Sequence, residues 1–171
     1  MLNEKFHSDY ISGIRIDESF GKYRVSCKVG SYCEFGFDQI SNQAHHHDCY
    51  ELCIVTNGNG YFIYEEETNR ITKGDILITD PECSHEIRAK TNDNLELLYI
   101  FINLDENRRI STVRTYEDEV IENFLAGHNC VFKGENLLSY IRFIEDYNSQ
   151  GSKSKYGTIQ ALKSVIVESL C

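Results

Sequence analysis

The hydrophobic period of this 171-residue chain changes once, at about Arg109, and that change limits the fold more than any other feature. Before it the pattern is that of strands, whose side chains alternate between two faces. Tyr23 to Val29 alternates, and Cys49 to Thr56 is rich in β-formers such as Tyr50, Ile54 and Val55. Asn57-Gly58-Asn59-Gly60 is a hairpin signal leading into Tyr61-Phe62-Ile63-Tyr64. A polar turn from Glu65 to Asn69 precedes Arg70-Ile71-Thr72, and Lys73-Gly74-Asp75 is a turn before Ile76-Leu77-Ile78-Thr79. Leu95 to Leu104 is the last strand. Short strands punctuated about every ten residues suggest a β-sandwich or barrel.

After Arg109 the apolar residues recur at helical spacing. Tyr116 to Leu125 places Val120, Ile121, Phe124 and Leu125 on one face. Leu137, Leu138, Ile141, Ile144 and Tyr147 form a second stripe, and Ile159, Leu162, Val165, Ile166 and Leu170 a third. Gly127, Gly134 and Gly151 punctuate them as stop signals. The expected architecture is mainly β with a C-terminal α portion: a β-barrel over 1–109 and a helical segment over 110–171, packed on the barrel. The last stripe runs uncapped to Cys171, so a natural continuation is expected there.

Composition closes off several classes of function. No apolar run approaches the roughly 18 residues of a membrane span, and Met1 to His7 lacks the apolar core of a signal peptide. A cytoplasmic location is therefore expected. The seven cysteines (27, 33, 49, 53, 83, 130 and 171) form no CxxC pair, and their odd count and irregular spacing point to reduced thiols, not a disulfide framework. With 27 acidic against 17 basic residues the formal charge is −10. Arg108-Arg109 and the Lys153/Lys155 pair are solvated turns, too small to make a phosphate-binding surface. This chain is not expected to bind DNA by itself.

Chemistry concentrates in His45-His46-His47-Asp48-Cys49-Tyr50-Glu51 and in His85, 34 residues after Glu51. At even offsets on a strand, His45, His47 and Glu51 face one way, while His46 faces the other. Joined by His85 from a distant strand, they make a three-histidine, one-carboxylate ligand set suited to Zn, Ni, Mn or Fe(II). The same four side chains equally suit the polar lining of a small-molecule pocket. Cys49 and Cys53 fall on the same face, and soft thiolates there would tilt the preference toward zinc. Among the aromatics Tyr61, Phe62, Tyr64, Tyr99 and Phe101, most are core; Tyr61 and Tyr99 are the two expected to face a ligand. There is no Gly-rich phosphate loop. Ser84-His85 is not a nucleophile–base pair, because strand neighbours face opposite ways.

The run from His45 to Leu104 resembles the cupin superfamily. Its first motif matches as His45-x-His47, three residues, Glu51, six residues, Gly58; the glycine expected before the first histidine is Gln39. The second motif keeps Gly74 and His85, but has Asp80 at its proline position, Glu82 at its glycine position and Ala89 at its asparagine position. All four ligand positions survive while turn residues differ, which implies a pocket more than an enzymatic activity. Within cupins, "HHHDCYELCIVTNGNG", "ITKGDILITDPECSHEI" and "LELLYIFINL" are similar to the N-terminal sensor domain of AraC-type transcriptional regulators. The segment Glu135 to Cys171 is similar to that family's dimerising helices. The resemblance implies a small effector, often a sugar, bound inside the barrel, and a DNA-binding domain beyond Cys171. It implies a jelly-roll barrel followed by two or three amphipathic helices. From the stripes themselves a homodimer through one of the helices is expected, with Leu138 or Leu162 at the contact; the alternative is that both stripes cap the barrel as intramolecular core. The competing expectation is a small metal-dependent cupin enzyme of oxygenase or sugar isomerase type.

Overall fold

The computed structural model describes residues 11–36, 40–90, 93–106, 113–149 and 156–171. Their strands are β1 (Arg15–Phe20), β2 (Tyr23–Phe35), β3 (Tyr50–Asn57), β4 (Asn59–Tyr64), β5 (Glu67–Thr72), β6 (Asp75–Thr79), β7 (His85–Ala89), β8 (Leu95–Glu106) and β9 (Val131–Lys133). Three helices are interleaved with and follow them: α1 (Tyr116–Ala126), α2 (Glu135–Ser149) and α3 (Tyr156–Leu170). The strands form two antiparallel sheets, one of six strands in the order β1-β2-β8-β3-β6-β9 and one of three in the order β5-β4-β7. Gln39, Arg108-Arg109, Gly151, Lys153 and Lys155 lie outside the described residues, as does the side chain of Tyr147.

The central strands of the six-stranded sheet, β3, β6 and the first half of β8, are buried on both faces. Leu52 and Ile54 of β3, Ile76 and Ile78 of β6, and Leu98, Ile100 and Ile102 of β8 share one core with the helices. Their neighbours Cys53, Val55, Leu77, Leu97 and Tyr99 point the other way, into a second core shared with Phe62, Ile71 and Ile87 of the small sheet. This explains why Leu97 to Ile102 reads as a continuous apolar run: neither face of this stretch is open to solvent. The helix stripes are spent on the sheet. Leu137, Ile141 and Ile144 of α2 and Leu162, Val165, Ile166 and Leu170 of α3 are all buried within the chain, each worth roughly 1.5–3 kcal/mol. Leu162 is therefore interior and offers nothing to a second copy; Leu138 is half-buried. Leu125, expected on the α1 stripe, is 47% exposed.

One turn signal has a different meaning from the one its sequence suggests. Asn57 to Gly60 does not close a hairpin, because β3 pairs with β6 and β8 while β4 pairs with β5 and β7. It is a corner passing the chain from one sheet to the other. Gly58 sits there at φ 79°, and a Cβ would lie 2.0 Å from the Asn94 carbonyl oxygen. Lys73-Gly74 makes the return corner. Turn chemistry specifies a bend and is silent about which strand waits beyond it.

Two strands escaped the sequence pattern. β1 is polar on one side, and β9 has only three residues. The α1 helix starts at a capping box: the Asp118 backbone N–H donates to the Thr115 hydroxyl, and the Thr115 N–H donates to the Asp118 carboxylate. The Lys22 N–H also donates to that carboxylate at 2.6 Å, tying α1 to the β1–β2 turn.

Candidate functional site

His45, His47, Glu51 and His85 converge, but not because they share a strand. β3 begins at Tyr50, so only Glu51 sits on it. His45 precedes it in an isolated bridge with His85: the His45 N–H donates to the His85 carbonyl at 3.0 Å, and the His85 N–H returns the bond at 2.9 Å. Two residues exchanging both bonds stand directly opposite, with side chains on the same face. His47 lies between bridge and strand. His46 points outward, toward Glu82 on the surface.

The four donor atoms lie within 4.8 Å of one another. The His47 Nε2 is 2.9 Å from one Glu51 oxygen, and the His85 Nε2 is 3.5 Å from the other. Glu51 and His85 are 2% and 1% exposed. The second pair is too long for a good hydrogen bond, so the Glu51 Oε1 and His85 Nε2 are buried without hydrogen-bonding partners among the described residues. Leaving such atoms unmet costs about 1–3 kcal/mol each. The outer nitrogens are already committed: the His45 Nδ1 lies 2.8 Å from the Gln43 carbonyl and the His85 Nδ1 3.2 Å from the Cys83 carbonyl. That contact makes each Nδ1 the N–H and turns a lone pair on Nε2 inward, the arrangement that metal-bound histidines favour.

The cluster fits a divalent cation. Donors opposite each other at ~2.2 Å from an ion stand ~4.4 Å apart, so modest side-chain rotation closes the present spacing. Burial pulls the His47 pKa down despite Glu51. Burial acts likewise on His85, but the Glu51 carboxylate and the Cys83 carbonyl outweigh it and leave that group raised.

The thiols stay out of the cluster. Cys53 is buried in the barrel, and burial raises its pKa well above normal, with Glu51 adding to it. Cys49 is raised by burial too. Both are neutral, so the expected thiolate bias toward zinc is removed.

Around the four residues, the His47 ring meets the Phe101 ring edge-on at 5.2 Å. Tyr99 faces the interior, 7% exposed, with its phenol held neutral by burial and in hydrogen-bonding contact with Asn42. Tyr61 does not join them. It is 37% exposed on the outer side of β4, paired with Arg70 and Arg88. Phe62 takes the inward position instead.

Spacing gave no sign of several neighbours. Asn42 accepts from the Ile87 N–H at 2.7 Å, and Tyr64 donates to Asp80 at 2.8 Å. Asp80 in turn stands 3.7 Å from His128, which follows α1 and stacks on Phe124. Gln43 and Glu82, flanking the site, have φ of 58° and 63°. Glu82 thus keeps the left-handed backbone that a glycine would supply there, at a cost of about 1–2 kcal/mol.

Fold and site together define a cupin-type barrel with a three-histidine, one-glutamate cluster. The chain belongs to the AraC-like ligand binding domain family, whose profile matches residues 30–125, more than half of its length and all four cluster residues. A Bacillus subtilis (strain 168) protein described as the uncharacterized HTH-type transcriptional regulator YfiF is 33% identical over 64 residues. That segment covers 37% of this chain and 20% of the regulator, so the match spans only a fifth of its length.

Among solved structures, a predicted oxalate decarboxylase from Thermotoga maritima is 24% identical, with a TM-score of 0.39, over 56% of this chain and 96% of that one. A cupin 2 conserved barrel protein from Salinispora arenicola is 16% identical, with a TM-score of 0.38, over 52% and 71%. Among the described residues, no helix is long and apolar enough to cross a membrane.

Proposed function

We propose that this chain is the effector-sensing part of a transcription regulator, which binds a small polar molecule in its barrel. The family match carries this reading, since it spans the whole cluster. His45, His47 and His85 would hold one divalent ion (Zn, Ni, Mn or Fe) through Nε2, and Glu51 through its carboxylate. When bound, such an ion supplies a Lewis-acidic anchor for an effector oxygen. Phe101 and Tyr99 supply the neighbouring wall. A sugar is one effector class with suitable oxygens. DNA contact is assigned to a segment outside this chain.

The route from site to helices runs through shared strands. Glu51 faces the cluster while the next residue, Leu52, packs against the helical core. The β6–β7 connection carries His85 at one end and, through Asp80, faces His128 at the end of α1. A shift of either element on binding is therefore felt at the helices, and a bistable helix arrangement would report it. A homodimer through the helices would use the outward side of α2, where Phe143 is exposed, since the α3 stripe is buried.

The cluster also favours a competing reading, a small metal-dependent enzyme. Calorimetry and NMR on the metal-loaded chain with sugars and organic acids distinguish the two. Binding without product, accompanied by slower hydrogen exchange in α2 and α3, supports the sensor. Turnover of any bound compound overturns it.

A further inference from the structure

One face of the barrel sheet extends beyond the small sheet and carries two cations. Arg15 on β1 stands directly opposite Lys28 on β2, Lys28 opposite Phe101 on β8, and Phe101 opposite Glu51 on β3. These four residues form one row across four strands, all on the face opposite the helices. With strands about 4.8 Å apart, the backbones of Lys28 and Arg15 lie roughly 10 and 14 Å from that of Glu51. Long side chains shorten both spans. Arg15, Lys28 and Phe101 line a groove of about 430 Å³ together with Asp17, Ser26 and Asn103.

The charges in this groove do not cancel. Like charges directly opposite on paired strands repel. Several described cations find carboxylates: Lys22 with Glu122, Arg88 with Glu86, Arg114 with Glu122, Lys133 with Asp75 and Lys163 with Glu18. Among the described residues neither Arg15 nor Lys28 has such a partner. Asp17, the acid of the groove, is taken by Arg24 at 2.7 Å and by the Ser26 hydroxyl at 3.2 Å. Arg15 and Lys28 stand directly opposite each other, and an anion held between them in the groove would offset their repulsion. The floor between the cations and the cluster is apolar. Phe101 lies over Gly30, where a Cβ would come within 2.9 Å of the ring, and its edge meets His47.

We propose that this groove is an anion subsite: Arg15 and Lys28 bind the carboxylate of a small organic acid whose other end reaches the His45, His47, Glu51 and His85 cluster across Phe101. This rests on the sensing reading above and narrows its effector to a carboxylate-bearing molecule. The recognition is charge-assisted and open to solvent, so it weakens with added salt.

The test uses the whole metal-loaded chain and three matched probe pairs: galacturonate and galactose, glutarate and glutaramide, phenylacetate and phenylacetamide. Calorimetry is run on the wild type, on the Arg15→Gln/Lys28→Gln double variant and on Glu51→Gln. The expected result is an acid bound about tenfold or more tighter than its neutral partner. The double variant loses that advantage while its metal content and melting temperature stay unchanged, as befits two exposed positions. Equal binding of acid and neutral partner, equal binding by the double variant, or no binding of any of the three acids overturns the subsite. Should Glu51→Gln leave acid binding intact while the double variant loses it, the subsite stands and the role assigned to the cluster falls. Should Glu51→Gln alone abolish binding, the cluster reading stands and the subsite falls.

Discussion

Glu51 and Leu52 are consecutive residues of one strand, both about 2% exposed, yet they belong to different chemistries. Leu52 faces the helices, in a core of aliphatic and aromatic side chains held by non-directional burial. Glu51 faces the barrel, where its two oxygens meet two imidazoles and one of them is left without a hydrogen bond. On the helix side a side chain of similar size and polarity will serve. On the barrel side only particular donor atoms in particular places will. Substitutions on the two faces should therefore separate into stability lesions and binding lesions.

The largest expected effect is on the helix side. Leu162→Ala should lower unfolding free energy by about 2–5 kcal/mol, read by urea denaturation, while the folded fraction keeps its capacity for metal. A monomer–dimer shift with unchanged monomer stability would contradict the intramolecular role of α3. Next comes the barrel side. His85→Ala or Glu51→Gln should abolish stoichiometric divalent metal, measured by elemental analysis of untagged protein. Adding metal at a hundred times its dissociation constant should stabilise the wild type by about 2.7 kcal/mol, and chelation should reverse that. Neither variant should show the gain. A wild type free of metal even after reconstitution would reduce the cluster to a polar pocket.

A smaller effect belongs to the joint between the β1–β2 turn and α1. Thr115→Ala should cost about 1 kcal/mol through the lost N-cap. The Lys22 and Thr115 backbone N–H groups hold the Asp118 carboxyl below its ordinary value of 3.8. Folding therefore favours its ionised form. That contribution is complete above pH 3.8 and is lost as the pH falls through the lowered folded value. Acid titration of Asp118→Asn against wild type should show the two curves converging at low pH. Smallest of all, Tyr61→Ala should change stability by no more than about 0.5 kcal/mol and leave metal and effector binding untouched. A binding loss there would mean that the outer side of β4 takes part after all.

Face and period were legible because they are local properties. Alternation marked Tyr23 to Val29 as a strand, and helical spacing marked Val120, Ile121 and Phe124, although Leu125 of the same stripe is exposed. The four cluster residues were legible as residue types at motif spacing. Tyr61 was misplaced because an aromatic on a short strand suits either face, and phase is decided by its neighbour Phe62. β1 was missed because its exposed side carries Arg15, Asp17 and Ser19, so only half of its alternation reads as apolar.

By itself, then, the sequence determined that all but one short strand precede the helices, that the helices carry apolar stripes, and that three imidazoles and a carboxylate were available for one site. The tertiary structure alone decided which strands pair, as at the Asn57 to Gly60 corner. It decided that His45 reaches the cluster by bridging His85, not by riding on β3. It also decided that the α3 stripe is buried against the sheet. Local patterns follow from chirality and periodicity within a few residues. Partnering depends on contacts between segments far apart in the chain, whose free energies no window of sequence contains.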